Sequence, residues 1–196
     1  MMRKTSYLIF GLVLVLILSW SQPLSADLKP NFEIGCSLGL RTVINSDLKE
    51  VYGNGINYFP NLSVVWKGII LGLGYEGGYK RDGVLGIYEE PAELSVKGPE
   101  VFLGYQFNLL NKVSPFIKIG YGFYSYKQVV ESEYLSDYPV DGTKSGLIFG
   151  GGLKIYPIKQ VFISAEVKYG SLKVKPYEDE VDVGGLRLNC GFGIKF

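Results

Sequence analysis

Leu186-Arg187-Leu188-Asn189-Cys190-Gly191-Phe192-Gly193-Ile194-Lys195-Phe196 puts an apolar side chain at every even position and a polar residue or glycine at every odd one. A period of two held over this length marks a strand, whose successive side chains leave on opposite faces. The pattern recurs seven times upstream. Phe32, Ile34, Cys36, Leu38 and Leu40 alternate with Glu33, Gly35, Ser37, Gly39 and Arg41. Tyr58, Pro60, Leu62, Val64 and Trp66 line a second segment, and Ile69, Leu71, Leu73, Tyr75 and Tyr79 a third. The next four run from Val101 to Leu109, Ile117 to Phe123, Leu147 to Ile155 and Val161 to Tyr169. Only the first twenty residues offer a long helical run. The chain reads as all-β.

The connections alternate as well. Short turns at Lys67-Gly68, Leu110 to Ser114 and Pro157 to Gln160 trade places with longer connections at 42–55, 81–98, 128–144 and 172–184. An even strand count then puts both chain ends on the short-turn rim. The expected architecture is an eight-stranded antiparallel up-and-down barrel. Short periplasmic turns and longer extracellular loops are the layout of bacterial transmembrane barrels.

Alternation alone leaves open whether the apolar face points inward, as in a soluble carrier, or outward to lipid. Three features favour lipid. The apolar face is free of formal charge over some forty positions, more than a narrow eight-stranded interior holds. The opposite face is rich in glycine (Gly72, Gly74, Gly104, Gly120, Gly122, Gly150, Gly152, Gly191, Gly193), with Phe102, Phe116, Tyr124, Tyr156 and Phe162 to fill the space beside them. Aromatic residues gather at the ends of the apolar face: Trp66, Phe107 and Phe196 on the short-turn rim, Tyr58, Tyr79 and Tyr169 toward the loops. Amphipathic rings settle there, at the two membrane interfaces. The inward face then carries Glu33, Arg41, Glu76, Lys80, Glu100, Lys118, Lys154, Glu166, Lys168, Arg187 and Lys195. Buried charges need opposite partners. The expected groupings are Glu33 with Lys118, Lys154 and Lys195 below, and Glu100 with Arg41, Lys80 and Arg187 above. Together they block the lumen.

Arg3 and Lys4 precede an uncharged apolar run from Tyr7 to Trp20 and a short polar stretch ending at Ala26. This is a secretory leader: charged start, apolar centre, small residue at the cut. Residues 1–26 are read as a signal peptide and 27–196 as one barrel domain. Without Arg3 and Lys4, the 20 basic residues fall to 18 against 19 acids. No net field draws the mature chain to nucleic acid.

The eight alternating segments and the terminal pattern Leu188 to Phe196 resemble the small OmpA/OmpX-type outer-membrane barrels, within the broader outer-membrane β-barrel domain family. The resemblance covers residues 31–196 and implies the bacterial outer membrane as location. It also implies that the last strand, ending in Phe196, is presented to the barrel-assembly machinery. No peptidoglycan-binding module follows, so the likeness is to single-barrel members.

Other motifs point to no chemistry. Gly72-Leu73-Gly74-Tyr75-Glu76-Gly77 satisfies a dinucleotide fingerprint, but that reading needs a helix directly after it. Here the glycines lie inside a strand. Acids cluster at Glu131, Glu133, Asp137 and Asp141, and at Glu178, Asp179, Glu180 and Asp182, without the spacing of a calcium loop. The chain has no histidine, whereas enzymes among outer-membrane barrels generally use one. No catalytic, cofactor-binding or metal-ligating residue is assigned and no cofactor is expected. The expectation is a non-enzymatic, monomeric barrel serving envelope integrity or surface interaction. Its partners would be outer-membrane lipid and lipopolysaccharide, and an extracellular protein or glycan met through Tyr88, Tyr134, Tyr138 and Tyr177. The alternative is a narrow pore for ions or small solutes.

Cys36 and Cys190 lie on the first and last segments, both on the apolar face. If these strands are coextensive from the short-turn rim, Cys36 faces Cys190 and Pro30 faces Phe196. A disulfide between them is then within reach of a modest local adjustment.

Overall fold

The computed structural model describes residues 29–85, 90–107, 112–130, 140–174 and 181–196. Residues 1–26, read above as a signal peptide, the tyrosines 88, 134, 138 and 177, and most of the two acid clusters lie outside these residues. The elements are β1 (Asn31–Val43), α1 (Ser46–Tyr52), β2 (Asn54–Trp66), β3 (Ile69–Leu85), β4 (Glu90–Gln106), β5 (Val113–Val130), β6 (Val140–Ile158), β7 (Val161–Gly170), β8 (Lys173–Val174), β9 (Val181–Asp182) and β10 (Gly185–Lys195). Eight of them close an antiparallel barrel in the order β1-β10-β7-β6-β5-β4-β3-β2, while β8 and β9 form a separate small hairpin. The β2–β3 turn is held by Lys67 and Gly68, with φ of 52° and 85°. Positive φ at both central residues is the twist that a two-residue hairpin needs.

The faces fall as the alternation requires. Thirty-three large hydrophobic side chains stand exposed on the described part of the outside, whereas Glu33, Arg41, Glu76, Glu100, Lys168 and Arg187 are 2% exposed or less. An apolar exterior of that extent belongs against hydrocarbon. From Phe32 to Leu40 the apolar row of β1 spans nine residues, about 21 Å tall at a strand tilt of about 40°. That matches the apolar band of a bacterial outer-membrane barrel.

Two expectations are corrected by register. The β1–β10 ladder pairs Cys36 with Phe192 and Cys190 with Leu38, two residues from the expected alignment, and both cysteines are free. The observed register keeps proline out of the terminal pair of bonds. Phe32 and Phe196 exchange backbone hydrogen bonds of 3.2 and 2.8 Å, so even residues of β1 direct their amides to β10. The coextensive register would place Pro30 in that site, and proline has no N–H to donate. The second correction concerns Tyr79 and Lys80. The β3–β4 register shifts by one residue between Glu76 and Tyr79, and Gly78 sits at φ 86°. A bulge reverses the parity of everything beyond it. Tyr79 is therefore inside and buried, and Lys80 is outside, where it pairs with Glu93 at 2.8 Å.

The long connections are also more ordered than expected. The described residues of 81–98 and of 128–144 are strand, and 42–55 contains α1. β6 runs eight residues past its last pairing with β7 at Ile148–Gly170, so β3 to β6 project roughly 20 Å beyond the shorter strands. In this extension the polarity inverts. On β4, Ala92, Leu94 and Val96 face inward and are buried, while Glu93, Ser95 and Lys97 face out. Lipid surrounds the band and water surrounds the extension, so the same alternation carries opposite chemistry on the two stretches.

Candidate functional site

The lumen is the part of the molecule where chemistry concentrates, and it is layered. At the short-turn end Lys154 pairs with Glu33, which also accepts from the Tyr156 hydroxyl at 3.0 Å. Lys118 reaches Glu166 at 2.7 Å. Between these pairs lies a cavity of about 40 Å³ bordered by Ser37, Asn61, Ser63, Ser164 and the two lysines. Such a volume holds a few water molecules, and its walls offer them polar partners. The lysine ammoniums also lie over aromatic faces, Lys118 4.6 Å from the Phe102 centroid and Lys154 4.9 Å from that of Phe162. These contacts offset part of the cost of burying the charges.

Mid-barrel, Glu76 gathers three cations. Arg41 Nη1 lies 2.9 Å and Arg187 Nε 2.8 Å from its Oε1, and Lys168 Nζ lies 3.2 Å from its Oε2. Lys168 also donates to both oxygens of Glu100, at 2.9 and 2.8 Å, and the Tyr124 hydroxyl donates to the first of them. The second guanidinium nitrogen of Arg41 donates to the Val183 carbonyl at 2.8 Å. Each residue comes from a different strand, except Val183, which follows β9. Closure of the barrel is what assembles the cluster. The expected groupings are therefore partly redrawn: Arg41 and Arg187 turn to Glu76, Glu100 takes Lys168, and Lys118 takes Glu166. Only Glu33–Lys154 pairs as expected. Lys195 is half-buried, 5.8 Å from the Tyr156 ring.

Above the ions lies an apolar layer that the alternation reading missed. Val43, Tyr52, Tyr79, Ala92, Leu94, Val96, Tyr126, Ile148, Leu172 and Val183 pack into one buried cluster across the long-loop mouth. α1 lies over it. The helix is capped by Asn45, whose side chain accepts from the Leu48 amide at 3.0 Å. Tyr52 turns down into the mouth, where its hydroxyl accepts from Gln128 at 2.9 Å and its carbonyl accepts from Arg81 at 3.1 Å. Burial pushes the Tyr52 phenol above its usual range, against the lowering effect of the Gln128 bond. The signal was present in the sequence, since Ala92, Leu94 and Val96 keep the period of two, but their face is fixed only by the strand below. Asp182 accepts from the Leu172 and Gly184 amides, each at 2.8 Å, and from the Ser171 hydroxyl. It shapes the β9–β10 connection.

The outer-membrane protein beta-barrel domain family matches residues 10–196. The chain belongs to it. The family places the barrel in the bacterial outer membrane, where its apolar band meets hydrocarbon. Among solved structures it is similar to OprG of Pseudomonas aeruginosa, with a TM-score of 0.57 at 12% identity over 85% of this chain and 95% of that one. Neisserial surface protein A scores 0.54 at 14% identity, covering 86% and 99%. Ail, the attachment invasion locus protein of Yersinia pestis, solved with the heparin analogue sucrose octasulfate, scores 0.52 at 17% identity, covering 85% and 97%. At these identities the likeness is one of fold. No curated protein matches the sequence.

Proposed function

We propose that this member of the family is a closed, non-enzymatic barrel whose long-loop end stands outside the cell and serves envelope integrity or surface interaction. The observation that carries the reading is the double closure of the lumen. A cluster of fully buried ions sits beneath a buried apolar layer, and α1 covers both. An ion crossing this path would have to lose its water twice, first against tyrosine and leucine and then among charges already paired. Residues 1–26 act as the export signal, the strand ending at Phe196 addresses the chain to the assembly machinery, and the barrel works as a monomer among lipid and lipopolysaccharide. A protein or glycan ligand would meet the long-loop end.

The polar cavity bordered by Lys118 and Lys154 favours a second reading, a narrow pore for ions or small solutes, because its walls offer water polar partners in the lower half of the lumen. Planar-bilayer recording of the purified full-length mature chain separates the two. The closed barrel leaves the membrane silent, whereas steady single-channel steps that respond to Glu76→Gln would establish the pore.

A further inference from the structure

Charge divides between the two ends of the barrel. In each of the four long connections acidic residues outnumber basic ones, whereas the three short turns contain one lysine apiece, Lys67, Lys112 and Lys159, and no acid. Lys195 adds a fourth ammonium from the last strand. Around the barrel these lysines recur at every second strand junction (β2–β3, β4–β5, β6–β7 and β10–β1), about 12 Å apart along the rim. Hydrogen bonds hold the ring in place. The Gln106 amide donates to the Gly68 carbonyl at 2.7 Å, the Tyr156 amide to that of Lys112 at 2.8 Å and the Lys195 amide to that of Gln160 at 2.7 Å. Each turn is thereby tied to the next strand round. Lys67, Lys112 and Lys159 are exposed and Lys195 is half-buried. None of the four has an ion pair among the described residues. Glu33 at this rim is taken by Lys154, and an oxygen of the chain end at Phe196 accepts from the Phe32 amide at 3.2 Å. Lys29 is left out of the ring, because Asp27 two residues before it offsets its charge. Four ammoniums therefore stand against one terminal carboxylate.

We propose that this ring holds the periplasmic cell wall, its ammoniums meeting free carboxylates of the wall's stem peptides. The proposal deepens the envelope-integrity reading and rests on the placement of the short turns in the periplasm. A polymer that carries carboxylates on separate short peptides needs only spaced positive charges, and the ring supplies four. A lipid headgroup of the inner leaflet reaches the outer flank, where Lys67 rests 4.9 Å from the centre of the Trp66 ring. It does not reach Lys195, whose ammonium lies 5.8 Å from the Tyr156 ring on the inward face. A protein partner needs an apolar centre to its contact, but the side chains inside this ring include Gln106, Ser114 and Tyr156. Each exposed ion pair strengthens binding about twofold, so the four together amount to about 16-fold.

The test sediments the mature chain, in neutral detergent at low salt, with purified cell-wall sacculi or with sacculi whose carboxylates have been converted to neutral amides. Wild type co-sediments with the first and stays in solution with the second. Lys67→Gln/Lys112→Gln/Lys159→Gln/Lys195→Gln weakens binding about 16-fold. The turn triple without Lys195→Gln, which leaves the last strand untouched, weakens it about eightfold. Arginine at all four positions keeps it. The equal charge change at the loop end, Lys49→Gln/Lys80→Gln/Lys97→Gln/Lys127→Gln, leaves binding as in wild type. Unboiled gel migration equal to wild type shows each variant folded. Full sedimentation of the turn triple, or equal sedimentation with amidated sacculi, would overturn the proposal. So would displacement from sacculi by equimolar short-chain phosphatidylglycerol, which would assign the ring to a lipid. Current through the barrel does not enter this readout: single-channel steps would remove the closed-lumen reading and leave sedimentation unchanged, and loss of sedimentation would leave the bilayer silent.

Discussion

Replacing Glu76 by glutamine tests whether the mid-barrel cluster is as dry as its geometry implies. Three cations, Arg41, Lys168 and Arg187, face two carboxylates, Glu76 and Glu100, and every one of the five is 2% exposed or less. Glutamine keeps the shape of Glu76 but removes its charge, leaving Glu100 alone against three cations. Removing one partner of a buried ion pair costs about 3–5 kcal/mol, because the remaining charges stay buried without compensation. The matched control is Glu93→Gln. It breaks the exposed Lys80–Glu93 pair, whose side chains are 64% and 37% exposed, and exposed pairs contribute only about 0–1 kcal/mol. Urea unfolding in phosphatidylcholine vesicles, followed by Trp66 emission, measures both. The Glu76→Gln midpoint should fall far below that of Glu93→Gln. Adding Arg41→Met to Glu76→Gln should recover part of the loss by removing one unpaired cation. Coincident midpoints for the two single variants would refute the reasoning, since they would mean that water already screens the cluster.

The lipid face predicts its own sensitivity: Leu73→Arg, at mid-band on β3, should cost about 2–4 kcal/mol in the same vesicles, while Ser95→Arg in the wet extension should leave the midpoint within error. Gly78→Val forces a branched side chain into φ 86° and against the Tyr58 ring; it should cost about 1–3 kcal/mol, and a loss no greater than that of Gly151→Ala, which has an ordinary φ and no neighbouring atom nearer than 3.3 Å, would count against the bulge. Alkylation of denatured, unreduced protein should label both Cys36 and Cys190, giving two adducts by mass; an unlabelled pair would contradict the register. The raised Tyr52 phenol sets a pH dependence on α1. The folded state holds this proton more tightly than the unfolded chain, so the contribution is complete below the ordinary value of 10.0 and is lost as pH rises beyond it. Cleavage at Lys49 by an alkali-stable protease should therefore accelerate above pH 10 in wild type but not in Tyr52→Phe, and parallel profiles would remove Tyr52 from that role.

What the sequence determined by itself was the class of the molecule. A side-chain period of two is a local property of extended backbone, so eight apolar rows, the charged inner face and the lipid-facing outer one follow from residue order alone. Three features belong to the tertiary structure. Register between β1 and β10 joins residues more than 140 positions apart, so barrel closure sets it and no local pattern does. Parity beyond Gly77-Gly78 depends on whether an extra residue is accommodated as a bulge, which pairing with β4 settles and which moved Tyr79 inward and Lys80 out. The identity of each ion's partner depends on which strands barrel closure brings face to face, so Glu76 emerged as the hub although several carboxylates were equally eligible along the chain. The inverted stretch at Ala92 to Lys97 combines both kinds of information. Its alternation is legible, but the solvent on either side of it is set by how far β3 to β6 stand above the membrane, because water and lipid reward opposite faces of the same strand.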